Sequence, residues 1–131
     1  APCSGEGLFQ IDQPQSFAYW SKKKIAEMVR RQRRLLYSAV RSLRPGGTLV
    51  YSTCTFAPEE NEAVVQHALE RFGNALAVEE INIYLDTMQP GLSEWQGAAF
   101  SPTLRAARRI VPDGIMEGFF ICKLYKREST Q

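Results

Sequence analysis

Apolar residues recur at spacings of three and four from Ile25 through Met28, Val29, Leu36, Ala39 and Val40 to Leu43, with Gln32 as the one polar member of the stripe. That spacing predicts a helix from about Ser21, whose hydroxyl can cap it, to Leu43, with one buried face. Arg44-Pro45-Gly46-Gly47 ends it. Thr48 to Tyr51 is then a short run of β-branched, aliphatic and aromatic residues, which predicts a buried strand leading to Cys54. Helical spacing returns after Pro58, where Ala63, Val64, Ala68, Leu69 and Phe72 share a face, acids fill the first turn, and Gly73-Asn74 supplies the stop. Leu76 to Tyr84 reads as a second strand. Between Asp86 and Arg108 no period holds, and Leu104 to Arg108 reads equally as a short helix or as coil. Gly118 to Tyr125 predicts a closing strand of high β propensity, and the polar tail from Lys126 reads as frayed. A helix running into a strand through so short a turn belongs to a parallel β-α-β arrangement. The expected fold is therefore α/β, with a mostly parallel sheet and a closing antiparallel strand.

The 131 residues, 44% of them hydrophobic, suffice for one globular domain. No apolar run approaches the roughly 18 residues of a membrane span, so no membrane partner is expected. The start, Ala1-Pro2-Cys3, is neither an initiator methionine nor a signal peptide, and the chain reads as a fragment. Three cysteines without paired spacing and a single histidine argue against a disulfide framework or a metal site, and for a reducing, cytoplasmic setting.

Charge changes the picture more than composition does. Residues 21–44 carry nine basic residues against Glu27, a local charge of +8; with +2 overall, the remainder stands at −6. Such a run is either a solvated face or a grip on phosphate backbone, and its purity of sign suits the second reading.

Cys54 falls where a strand ends and the chain turns toward a helix, the place where open α/β sheets put their ligands. A thiol there is a candidate nucleophile or a small buried apolar residue. Cys122, mid-strand, reads as packing, and His67 as a solvated helix residue. Ala1 to Gly7 reads equally as an ordinary loop or as a segment that wraps a site.

Four pieces occur in order: Ala-Pro-Cys-Ser-Gly at the start, Leu-x-Pro-Gly-Gly-x-Leu-Val-Tyr-Ser-Thr-Cys-Thr in the middle, Glu-Glu-Asn-Glu after it, and Arg-Ile-x-Pro followed by Glu-Gly-Phe-Phe near the end. Together they resemble the Sun-type (Fmu/Nol/Nop) family of S-adenosylmethionine-dependent RNA cytosine-5 methyltransferases, over nearly the whole chain. The resemblance implies a Rossmann-like class I methyltransferase fold, of which residues 1–131 are the C-terminal part of one catalytic domain. It implies Cys54 as nucleophile and Cys3 as the cysteine that assists product release. Pro2, Ser4 and Gly5 would shape the base pocket, with Gly7 in the same loop, and Arg109 would be either substrate-binding or structural. Lys22, Lys23, Lys24, Arg30 and Arg34 would hold RNA, ribosomal in preference to transfer RNA.

A thiolate is needed for such chemistry, so nearby positive or hydrogen-bonding groups are expected to lower the Cys54 pKa. The family's residues for its cofactor, S-adenosylmethionine, lie mainly upstream, and at Val111 and Asp113 this chain departs from the family's pattern. The fragment is expected to be inactive alone. The alternatives are a non-catalytic RNA-binding module that uses the basic helix, and a thiol redox protein, disfavoured by the lack of a Cys-x-x-Cys motif.

Overall fold

The computed structural model describes residues 1–130. Helix α1 (Lys22–Ser42) starts where Ser21 caps it, the hydroxyl accepting from the Lys24 N–H at 3.1 Å. Met28, Gln32, Leu36 and Val40, four residues apart, form its buried face. Strand β1 (Thr48–Thr53) follows, then helix α2 (Glu62–Phe72) and strand β2 (Leu76–Glu79). Short strands β3 (Met88–Pro90), β4 (Glu94–Trp95), β5 (Ala98–Ala99) and β6 (Arg108–Ile110) occupy the stretch without a period, and β7 (Phe119–Lys126) closes the domain.

β7 is the centre of the sheet. β1 pairs with it along one edge, from Thr48 opposite Tyr125 to Thr53 opposite Phe120. On the other edge β2 and β6 pair with it one after the other, and β3 extends the sheet from β6. Every one of these pairs is antiparallel. β1 and β2, both antiparallel to β7, run parallel to each other as their crossover through α2 requires. The α/β, Rossmann-like expectation holds, while the mostly parallel pairing is corrected: the closing strand is inserted between the two parallel strands instead of lying beside them.

Along β7 burial alternates, with Phe120, Cys122, Leu124 and Lys126 on the packed face. Phe120, Cys122 and Leu124 meet Leu36 and Val40 of α1 and Val64, Val65 and Ala68 of α2 in one core cluster. Position 126 falls on that face too, so the tail expected from Lys126 begins one residue later, at exposed residues 127–129. Lys126 is 2% exposed, and its ammonium donates to the carbonyls of Val40 at 2.8 Å and Leu43 at 2.6 Å, at the negative end of α1.

Other boundaries shift for physical reasons. β2 stops at Glu79; beyond it Ile81 is still buried, while Ile83 and Tyr84 are 61% and 83% exposed. Leu104 lies in a 3₁₀ turn (Pro102–Ala106) and is buried, and Ala107 is buried with it. Arg108 to Ile110 becomes a strand by pairing with β3 on one side and with the start of β7 on the other. His67 is half-buried, its Nδ1 bonded to the Tyr37 hydroxyl, so it is not simply solvated. No helix among the described residues is long and apolar enough to cross a membrane.

Candidate catalytic site

Cys54 is the first residue beyond β1, and polar side chains lock the turn that carries it. The Thr53 hydroxyl donates to Asn61 Oδ1 at 2.5 Å, Asn61 Nδ2 donates to the Thr55 carbonyl at 2.9 Å, and the Tyr51 hydroxyl donates to the Glu60 carbonyl at 2.6 Å. Thr53, Thr55, Glu60 and Asn61 are all buried, so these bonds satisfy groups that would otherwise be costly to desolvate.

The first seven residues lie against this turn. The Ala1 ammonium donates to the Ser52 carbonyl at 2.7 Å, and Cys3 Sγ stands 2.7 Å from Cys54 Sγ, both cysteines being free and partly exposed. Buried Glu60 gathers the loop: it accepts from the Ser4 N–H at 2.9 Å, from the Ser4 hydroxyl, and from Gln32 Nε2 at 2.9 Å. The same Gln32 Nε2 donates to the Pro2 carbonyl at 2.7 Å. Ser4 Oγ also meets Thr55 Oγ1 at 2.9 Å. Gly5 turns the chain at φ +79, a conformation that suits glycine. Gly7 donates to the Cys54 carbonyl at 2.9 Å and accepts from Gly118 N–H at 3.1 Å, so close that a Cβ on it would come within 2.1 Å of the Gly118 oxygen. Residues 1–7 therefore wrap the thiol pair, and Pro2, Cys3, Ser4 and Gly5 come together beside Cys54.

The electrostatics differ from expectation. Burial pushes the Cys54 thiol up, and the hydrogen bond and charge of Cys3 push it further, to about 11, against the opposing Ala1 ammonium. The expected lowering is thus corrected: the groups of residues 1–130 hold this thiol protonated at neutral pH. Burial likewise pushes Cys122 up to about 12, and its 0% exposure places it in the core.

Arg109 does not reach this pocket. Its Nε and Nη2 donate to the two oxygens of buried Glu62 at 2.7 and 2.5 Å, Nη1 donates to the Phe56 carbonyl at 3.0 Å, and the guanidinium lies 5.9 Å from the Phe120 ring centre. Nη1 thus ties the loop after Cys54 to the sheet, and Nε and Nη2 tie the first residue of α2 to it, so of its two readings the structural one fits. Lys22, Lys23, Arg30 and Arg34 are exposed on α1 and Lys24 half-exposed. Lys22 and Arg30 line a groove with Phe56, and the other three do not. Sequence reasoning gave no role to Gln32, Glu60, Asn61 or Glu62, although Gln32 alone among apolar stripe positions was a signal.

The carboxylates lining the two clefts, Glu6 and Glu59, are each engaged by an indole N–H, and β1 is an edge strand of the sheet. Among the described residues no cluster of three or more His, Cys, Asp or Glu could hold a metal ion.

Residues 1–125 match the family model described as 16S rRNA methyltransferase RsmB/F. The ribosomal RNA small subunit methyltransferase F of Aliivibrio fischeri is 35% identical over 130 residues, which cover 99% of this chain and 25% of that protein. The tRNA (cytosine(49)-C(5))-methyltransferase of Pyrococcus abyssi is 40% identical over 130 residues, covering 96% of this chain and 40% of the relative. Among solved structures, a methyltransferase homolog protein from Pyrococcus horikoshii superposes with a TM-score of 0.78 at 35% identity, over 96% of this chain and 37% of that one. NSun6 from Pyrococcus horikoshii with SFG gives 0.72 at 32% identity, over 98% and 29%. The chain thus spans between a quarter and two-fifths of the curated relatives it matches.

Proposed function

The chain belongs to the 16S rRNA methyltransferase RsmB/F family, and on that premise we propose that it is the C-terminal part of the catalytic domain of a cytoplasmic enzyme that methylates carbon 5 of a cytosine in ribosomal RNA. Cys54 is the nucleophile and Cys3 assists product release. The observation that carries this reading is the meeting of the two thiols, 2.7 Å apart although 51 residues separate them, on a strand end that buried Glu60 and Asn61 hold in shape.

The chemistry needs both groups. Carbon 5 of cytosine is too weak a nucleophile to take a methyl group unaided. When the Cys54 thiolate adds to carbon 6, a sulfur–carbon bond forms and the ring's electrons move to carbon 5, which can then be alkylated. A base takes the carbon 5 proton, the double bond re-forms, and Cys54 leaves as thiolate. Cys3 lies near any base bound to Cys54, where it can aid this last step. A base stacked in a duplex is unreachable, so the target is unpaired or flipped out. S-adenosylmethionine supplies the methyl group, as the family and the SFG complex of a neighbour support, and is held by residues outside this chain. Because burial and Cys3 raise the Cys54 thiol, reaction near neutral pH calls for a positive or proton-accepting group from the RNA or from the rest of the enzyme. Alone, the chain is inactive.

The ribosomal preference follows the family's description and the Aliivibrio relative; the Pyrococcus relative's name makes transfer RNA the competing substrate. A non-catalytic RNA-binding module would use the cations of α1 and have no need of Cys3 or Cys54. Methyl transfer to RNA by the complete enzyme separates the two. Cys54→Ala should abolish it by at least about 10³-fold, and Cys3→Ala should slow turnover while RNA accumulates covalently bound. Unchanged transfer in Cys54→Ala would end the nucleophile assignment.

A further inference from the structure

Between the start of α1 and the loop that follows Cys54 lies a groove with a cavity volume of about 970 Å³. Its apolar floor includes Ile25 and Val29 of α1. Trp20, Phe56 and Trp95 line it, and the indoles are the only two tryptophans of the chain. Each indole is pinned by a carboxylate: Trp20 Nε1 donates to Glu6 at 2.8 Å and Trp95 Nε1 to Glu59 at 3.1 Å. The rings are therefore held in place while remaining 41% and 39% exposed. Lys22, Arg30 and Arg33 add positive charge along the α1 side, and Arg33 Nε is buried without a partner.

We propose that this groove binds an unpaired nucleotide of the substrate RNA close to the target cytosine, its base stacking on the aromatic walls and its phosphate meeting Arg30 and Arg33. The inference rests on the proposed function and adds a subsite to it. Fixed, half-exposed aromatic rings beside cations are the combination that single-stranded nucleic acid requires, since every base has a face to stack and every linkage a charge. Two groove residues lie close in the chain to the thiols: Phe56 is two residues beyond Cys54 and Glu6 three beyond Cys3. Chain geometry therefore limits the Cys54-to-Phe56 Cα separation to about 7 Å, a reach suited to a neighbouring nucleotide. An uncharged apolar peptide would leave Lys22, Arg30 and Arg33 without an anion.

Tryptophan fluorescence of the 131-residue chain reads the groove directly, because both emitters line it. Titration with a five-nucleotide unpaired RNA should give saturable quenching. Trp20→Phe should keep the affinity, whereas Trp20→Ala and Arg33→Ala should each weaken it by about 5- to 150-fold, the range of a lost stack. A labelled RNA that binds by anisotropy without quenching would overturn the subsite, as would wild-type affinity in both alanine variants. Emission that responds to protein concentration and not to RNA would assign the groove to self-association and overturn the proposal as well. Quenching in a protein whose complete enzyme forms no covalent RNA adduct would sink the catalytic reading and leave the groove; an adduct without quenching would sink the groove alone.

Discussion

The Cys54 thiol has a raised pKa because it is half-buried and shares its surroundings with Cys3. Only the thiolate reacts with an alkylating agent, so the rate of iodoacetamide labelling at Cys54, followed by peptide mass mapping, should rise with pH toward a midpoint of about 11. Cys3→Ala removes the hydrogen bond and the charge that raise the pKa, so the midpoint should fall toward the ordinary value of 9.0. An unchanged midpoint would show that burial alone sets it. Stability follows the same sign: a raised folded pKa contributes stability that is complete below about pH 9 and is lost as pH rises through about 11. At this scale the sequence was legible where a motif marks a residue and illegible where burial decides. Cys54 and Cys3 could be named from their neighbours, but nothing local shows that Glu60 is fully buried, or that Gln32, 28 residues away, bonds to it. The direction of the Cys54 shift was misjudged for the same reason, because desolvation is a property of the packed state.

Among the elements, those with strong local periodicity were readable. The stripe of α1 and its Ser21 cap, the strand before Cys54 and the closing strand all appear within a residue or two of where the pattern puts them. β3 and β6 did not show, since strands of three residues are too short to carry a pattern and owe their existence to their pairing, and the insertion of β7 between β1 and β2 is a long-range fact. Two cations join these elements, buried Lys126 and partly buried Arg109, and each carries a prediction. Arg109→Ala leaves the Glu62 carboxylate, 0% exposed, without its guanidinium and should destabilise the domain by about 3–5 kcal/mol in urea unfolding. Unchanged stability would return Arg109 to the substrate-binding reading. Lys126→Met keeps the aliphatic stem but removes the ammonium from the last carbonyls of α1, and should lower the urea midpoint by the equivalent of about 2 kcal/mol with an unchanged m value. A midpoint like that of the wild type would mean that water satisfies those carbonyls equally well.

In the molecule as a whole, every part converges on one edge. β1 has β7 on one side, and on the other it receives the Ala1 ammonium at the Ser52 carbonyl and no strand among the described residues. Val50 on this strand is 58% exposed. The thiol pair sits at the end of that edge, and under the proposed function the rest of the catalytic site adds there. The central claim is that Cys54 attacks carbon 6 of a cytosine. Its most direct test is mass spectrometry of the complete enzyme incubated with S-adenosylmethionine and RNA containing 5-fluorocytosine, in which fluorine cannot leave carbon 5 as a proton and the covalent intermediate is trapped. The expected result is a denaturation-resistant adduct whose mass maps to Cys54 and which is absent in Cys54→Ala. An adduct at Cys3 in its place, or methylated RNA produced by Cys54→Ala, would contradict it.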